Sequence, residues 1–430
     1  MARPVTRALR HRNFRLFFAG QLISLIGTWM QTVAQSWLVY RLSGSPTLLG
    51  LVNFAGQIPI FVLSPLGGYT ADRWDRRTVI LVTQTASMIL ALLLALLILT
   101  GRVQIWEVFV LSGLLGVVNS FDIPARQAFL GEMVGREDMI NAIALNSTIF
   151  NGARIVGPAI AGILVARIGE GWCFFANGIS YIAVIGSLLA MKIPKFRPAP
   201  SAHSAWHAIR EGFVYVAETV PVRGLLILVG VLSFAGLPYS VLMPIFADGI
   251  LHAGASGLGV LMGIGGLGAL TGALLLASRT DLKGLTRWAV WGMVVFSLAL
   301  ATFSLSERMW LSGCALFVVG FAGMIQMGAA NTLVQSIAPD HFRGRVMSVY
   351  AMMYMGVGPV GAMLAGLAAE QIGAPFTLLI GAGLCLVASG AFLWRLPQLR
   401  EGTRVLLEAQ RRSQNPDAVI QKDSRQTFPA

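Results

Sequence analysis

The chain has 430 residues, of which 56% are hydrophobic and only 12% are Asp, Glu, Lys or Arg, with a mean hydropathy of +0.72. A soluble domain carries about 25% charged residues, so this chain lacks a polar surface to meet water, and its apolar excess requires lipid. The formal net charge of +13 then reads as Lys and Arg gathered at one membrane face, not as a nucleic-acid surface. Cys173, Cys314 and Cys385 are scattered through apolar runs, which excludes a disulfide framework or a metal site.

The basic N-terminus, MARPVTRALRHRNFRLF, leads into an apolar run without a small-residue cleavage site and is expected to be a retained first span. A span needs about 20 apolar residues. Six are expected near 15–40, 47–70, 78–100, 104–128, 141–167 and 171–192. Six more fall near 224–248, 256–279, 286–305, 309–336, 344–370 and 374–395. The expected fold is an all-α membrane protein of two six-helix bundles, residues 1–193 and 224–396. The linker 194–223 contains SAWHAIREGFVYVAE, which puts Trp206, Ile209, Phe213 and Val216 on one helical face. That reads as a short amphipathic helix on the membrane surface, or as a plain linker. The polar tail 397–430 is expected to be disordered.

Charge orients the spans. One set of connections holds Arg73, Arg76, Arg77, Arg136, Lys192, Lys195, Arg279, Lys283, Arg343 and Arg345, and both basic termini join it. The opposite connections hold only Arg41, Arg102, Arg167 and Arg308. The asymmetry predicts both termini in the cytoplasm. The halves also repeat. Gly50 to Asp72 and Gly259 to Asp281 are both 22 residues (72 − 50 and 281 − 259), and GPAIAGILVARIG echoes GPVGAMLAGLAAEQIG. Parallel six-span repeats are a transporter architecture.

Between spans 2 and 3 the stretch GGYTADRWDRR packs Asp72, Arg73, Asp75, Arg76 and Arg77 into eleven residues. Ion pairs there are expected to latch the two halves and release as they rock. The plainer reading makes the arginines topology anchors. Span 1 aligns Gln21, Ser24, Thr28, Gln31 and Gln35 on one face. That face is expected to line a wet cavity or to bond to a neighbouring helix. Span 4 repeats the spacing with Ser112, Asn119, Asp122 and Arg126, and span 5 with Ser147, Asn151 and Arg154. Asp122 and Arg126 form an i,i+4 pair, and Asp122 lies at a depth where Arg154 is a second possible partner.

Asp122 is the one carboxylate placed well inside a span, so it is the candidate proton-coupling group. Burial favours a neutral carboxyl and a neighbouring cation favours a charged one, so a change of neighbour would load and release a proton. Permanent pairing that closes a gate is the alternative. In the second half, Tyr239, Gln326, Asn331 and Tyr354 are the polar cavity candidates. The methionines Met324, Met327, Met352, Met353 and Met355 suit an adaptable apolar pocket or ordinary packing.

The run Gly68-x-x-x-Asp72-Arg73-x-x-Arg76-Arg77 resembles the loop signature of the major facilitator superfamily, with Asp75 where the family usually has Gly. Gly157-Pro158, followed by Gly162, resembles the signature of its antiporter branches. ALRHRNFRLFFAGQLIS, DIPARQAFL and PDHFRGRVMSVY look most like the enterobactin-exporter-like and macrolide-efflux branch. The resemblance implies a bacterial inner-membrane exporter of a drug, siderophore or other small amphipathic molecule. It would work by proton antiport and alternating access, as a monomer without metal or cofactor. No Gly-x-x-x-x-Gly-Lys-Ser/Thr loop suggests ATP drive. A lipid flippase of the same fold is the nearest rival. An intramembrane enzyme is disfavoured, because His11, His203, His207, His252 and His341 all lie near span ends or loops.

Overall fold

The computed structural model describes residues 6–192, 205–279, 284–339 and 342–414, with side chains except at 136, 205–209 and 395–414. Among them, twelve helices are long and apolar enough to cross a membrane. In the first half these are α1 (Arg12–Ser43), α2 (Pro46–Arg73), α3 (Arg76–Leu99), α4 (Ile105–Gly135), α5 (Glu137–Ile168) and α6 (Glu170–Ala190). The linker helix α7 (Ala205–Glu218) follows. The second half comprises α8 (Val220–Ile250), α9 (Gly254–Ala277), α10 (Leu285–Ser304), α11 (Met309–Ile337), α12 (Arg343–Ile372) and α13, which begins at Ala374.

Local chemistry sets the boundaries. Ser45 caps α2, accepting from the Leu48 N–H, and Pro46 fills the first helical turn, where its missing N–H costs nothing. Asp75 caps α3, accepting from the Thr78 N–H at 3.0 Å. No positive φ is needed at Asp75, so an acid serves where related loops carry Gly. The helical run from Ile105 to Ile168 breaks at Gly135, whose φ of 70° and ψ of 177° separate α4 from α5. Helix α4 extends to Gly135, beyond the expected end at 128, because Glu132 and Met133 still pack and pair there. The expectation of a disordered tail fails in part: α13 continues as helix to Gln414. Residues 415–430 and Asp281 lie outside the described residues.

Twelve crossings put the start of α1 and the end of the last span on one face, here the terminal face; the other is the distal face. The two halves meet along two seams. On one, α2 packs on α12: a methyl added to Gly50 would lie 2.6 Å from the Ala362 carbonyl oxygen, and one on Gly366 would lie 3.2 Å from Gly50 Cα. On the other, α5 packs on α9: a methyl on Gly162 would lie 2.9 Å from Gly259 Cα. Gly50 and Gly259 are equivalent in the sequence repeat. Gly162 and Gly366 each stand seven residues before a helix-ending glycine, Gly169 and Gly373 (169 − 162 and 373 − 366). Each seam is therefore the pseudo-twofold image of the other.

Both seams belong to the distal side. Toward the terminal face, the closest glycine contacts between the halves are Phe61 on Gly356 and Arg154 on Gly266, near the middle of α2 and α5. Beyond that level no hydrogen bond or ion pair joins described residues of the two halves, although Tyr69, Leu66, Ile143 and Leu274 lie exposed there. Among the described residues, the contacts between the halves gather on the distal side and thin toward the terminal face.

Candidate functional site

A polar knot lies inside the first half. Asp122 of α4 is buried and pairs with Arg126 one turn on, at 2.5 Å. Its other oxygen accepts from the Thr83 hydroxyl at 2.9 Å and from the Gln84 amide at 3.0 Å. Arg126 in turn donates to Gln21 of α1 at 3.0 Å. An ionised carboxylate in an apolar bundle needs this company, since burying an unpaired charge is costly. The expected second partner does not join it. The Arg154 guanidinium lies instead 5.8 Å from the Trp29 ring centre and forms no ion pair with a described residue.

Arg154 is half-buried near the middle of α5, at the level where the halves part. Its charge reaches Tyr239 and Tyr354 of the opposite half. Those tyrosines sit on irregular helices. Helix α8 widens to five-residue turns at Leu232–Gly236 and Phe246–Ile250, and α12 does so at Met352–Gly356. Pro238 and Pro244 lack the N–H that would continue a regular ladder in α8. The wide turns meet where the Ser233 hydroxyl donates to the Tyr354 carbonyl at 2.5 Å. Such turns recur at functional sites, because they free backbone groups and re-aim side chains.

Other expected cavity residues divide. Gln31 is buried and accepts from Asn177 of α6 at 2.5 Å, and Gln35 donates to Ser112 of α4 at 3.0 Å. Gln31 and Gln35 therefore join α1 to α6 and α4, while Thr28 of the same stripe is exposed. Gln326 is fully buried, with neither amide atom hydrogen-bonded. Asn331 accepts from Gln335 one turn on. Asn119 is half-buried, and Asn151 donates to the Ser147 carbonyl. Gly157 seats α5 on α1, where an added methyl would lie 2.5 Å from Trp29 Cβ, and the Pro158 carbonyl faces Gly259 on the α5–α9 seam. Asn53 and Gln57 were missed. They follow Gly50 at offsets 3 and 7, on the face that ends in the Phe61 contact with α12, and Gln57 is exposed.

The terminal-face hairpin is braced within its own half. Arg76 reaches Glu132 at 2.6 Å and the Ala71 carbonyl at 2.9 Å, with Asp72 at 3.8 Å. Arg77 donates to the Leu189 carbonyl, and Arg73 lies over the Tyr69 ring. Gly67, not Gly68, carries the close packing, with the Ser120 carbonyl against it. The Asp72 side chain stays 57% exposed and makes no ion pair with a described residue of the second half. The linker helix docks on α12: Arg345 pairs with Glu211 at 2.5 Å and Tyr215 stacks on Phe342. Val216 is buried while Phe213 is exposed; Trp206 and Ile209 lie outside the described side chains. At the distal face, Glu370 of α12 accepts from the Ser45 hydroxyl at 2.7 Å and from the Thr47 N–H at 3.2 Å, tying α12 to the start of α2. Among the described residues no cluster of His, Cys, Asp or Glu could hold a metal ion.

The sequence profile of the transmembrane secretion effectors matches residues 5–426. The chain belongs to that family of the major facilitator superfamily. It is 26% identical to the enterobactin exporter EntS of Shigella boydii, over 96% of both chains. It is 28% identical to the multidrug efflux pump Tap of Mycolicibacterium fortuitum, over 87% of this chain and 93% of that one. It is 25% identical to the staphyloferrin A transporter of Staphylococcus aureus, over 84% and 90%. Its fold matches a bacterial homologue of the human lysosomal transporter Spinster, with a TM-score of 0.70, 15% identity and coverage of 95% and 99%. It also matches the nucleoside transporter NupG, with a TM-score of 0.71, 15% identity and coverage of 90% and 99%. The protein is thus a multi-pass membrane transporter and not an enzyme.

Proposed function

We propose that the protein exports small amphipathic molecules across the bacterial inner membrane by alternating access, in exchange for protons. The terminal face is cytoplasmic, following the Lys and Arg excess. On that reading the halves are captured open to the cytoplasm, ready to load. The observation that carries the proposal is the pair of distal glycine seams, with parted halves beyond them. Two symmetry-related seams on one face are what a rocking pair of bundles requires, and the outward state would exchange them for contacts at the Asp72 hairpin. The relatives named for siderophores and drugs support the substrate range.

Asp122 is the proton-coupling group on this reading. A swing of the Arg126 side chain away from Asp122, coupled to rocking, would favour the protonated form, and its return would favour release. The test is proteoliposome efflux of a fluorescent amphiphile against its gradient, under an imposed pH gradient. The wild type accumulates the dye only while the pH gradient lasts, and Asp122→Asn loses that dependence. Uphill efflux by Asp122→Asn with the normal pH-gradient response would remove the carrier role.

A further inference from the structure

The charges inside the spans do not balance. Arg126 neutralises Asp122, and every other described carboxylate lies near a span end, in a connection or in the tail beyond the last span. Arg154 is left over. A cation at the middle of a membrane helix is costly and is expected to find a partner. Yet Arg154 forms no hydrogen bond or ion pair with any described residue, and its guanidinium lies over the Trp29 ring instead.

Its surroundings are built from aromatic rings. Trp29 meets Phe150 edge to face, with ring centres 5.6 Å apart, and the charge of Arg154 reaches Tyr239 and Tyr354 of the other half. Neither phenol hydroxyl has a hydrogen-bond partner among the described residues, whereas Tyr350 nearby donates to the Met327 carbonyl. A guanidinium unpaired among the described residues, the Trp29 and Phe150 rings beside it, and two phenols of the other half within reach of its charge lie at the level where the halves part.

We propose that Arg154 recognises a carboxylate on an aromatic, amphipathic substrate. The guanidinium fork takes both carboxylate oxygens, the phenols of Tyr239 and Tyr354 add donors, and the substrate ring lies against Trp29. Because these groups come from both halves, binding would draw the bundles together, which couples recognition to the rocking step. Calling the ligand a substrate rests on the export reading above. The selection for negative charge does not.

The test uses two probes with one ring and different charge: dansylglycine, a carboxylate, and dansylglycinamide, its neutral amide. Binding is followed by dansyl fluorescence on the full-length protein in lipid nanodiscs. The wild type is expected to prefer dansylglycine by roughly 10- to 150-fold, the span of a charge-assisted hydrogen bond. Arg154→Gln should remove the preference by weakening dansylglycine far more than the amide, Arg154→Lys should keep part of it, and Trp29→Leu should weaken both probes alike. A wild type indifferent to charge, including one that binds neither probe, overturns the assignment without any variant. So does an Arg154→Gln protein that loses both probes equally. Proton-driven export of dansylglycinamide by a charge-indifferent protein would overturn this assignment and leave export standing. Charge-selective binding without transport would do the reverse.

Discussion

Replacing Gly162 by Ala puts a methyl group where α5 and α9 touch. Its Cβ would stand 2.9 Å from Gly259 Cα and 3.2 Å from the carbonyl oxygens of Ala255 and Ser256. Carbon atoms pack best at about 3.5–4.0 Å. All three neighbours are backbone, so no side chain can swing aside and a helix must move. Overpacking of this kind costs about 1–3 kcal/mol. The cost falls only on the state with the distal seam closed, so the equilibrium should move about 5- to 160-fold toward the distally open state. Spin labels on Leu42 and Ile372, exposed positions at the distal ends of the two halves, report the change by pulsed electron resonance. The background carries Cys314→Ser, since Cys314 is exposed and Cys173 and Cys385 are buried. A longer distance should gain population in Gly162→Ala. Its symmetry counterpart Gly366→Ala, whose methyl would lie 2.6 Å from the Pro46 carbonyl oxygen, should behave alike. Gly186→Ala is the control, with nothing within 4 Å of its added methyl. If the Gly162→Ala distribution superimposes on wild type and control, the seam does not hold the distal face shut.

Asp122→Asn removes one partner of a buried ion pair and leaves Arg126 without its counter-charge. Such a loss costs toward the lower end of about 3–5 kcal/mol, because the Arg126 side chain is 25% exposed. Thermal unfolding in detergent should fall accordingly, and Asp122→Asn with Arg126→Gln should recover most of it. Glu370→Gln weakens the tie to Ser45 and Thr47. It should shift the Leu42–Ile372 distances in the same direction as Gly162→Ala, with no change in unfolding temperature. Export of a monoanion against one proton moves two positive equivalents inward. A potential of 100 mV, inside negative, would then drive it by about 4.6 kcal/mol, twice the single-charge value. In potassium-clamped proteoliposomes dansylglycine efflux should respond to voltage about twice as steeply as dansylglycinamide efflux; equal slopes would contradict the stoichiometry.

The spans were legible because a bilayer imposes a length, and twelve apolar runs of that length leave little freedom. The ends were less so. Glu132 extends α4 through a partner, Arg76, 56 residues earlier in the chain, and no local pattern reveals it. The α1 stripe shows the same limit. A polar row on a membrane helix looks identical whether it meets water or another amide, and the partner of Gln31 is Asn177, 146 residues away. Thr83 and Gln84 were not legible because a buried carboxylate points first to cations, while two of the three partners of Asp122 are neutral donors on α3. Asn53 and Gln57 carried a readable signal, their spacing from Gly50. Arg154 was singled out for its depth. Its lack of an acid partner depends on rotamers and helix packing that depth alone does not specify.

The distal seams have a consequence for cargo. At their four glycines they are main chain resting on main chain, so parting them there exposes little that must be reordered when they meet again. The work of opening that exit is therefore set by the bundles and not by the shape of whatever lies beneath. Gly50, Gly162, Gly259 and Gly366 make a door indifferent to its traveller, and leave discrimination to the side chains at the end of the cleft.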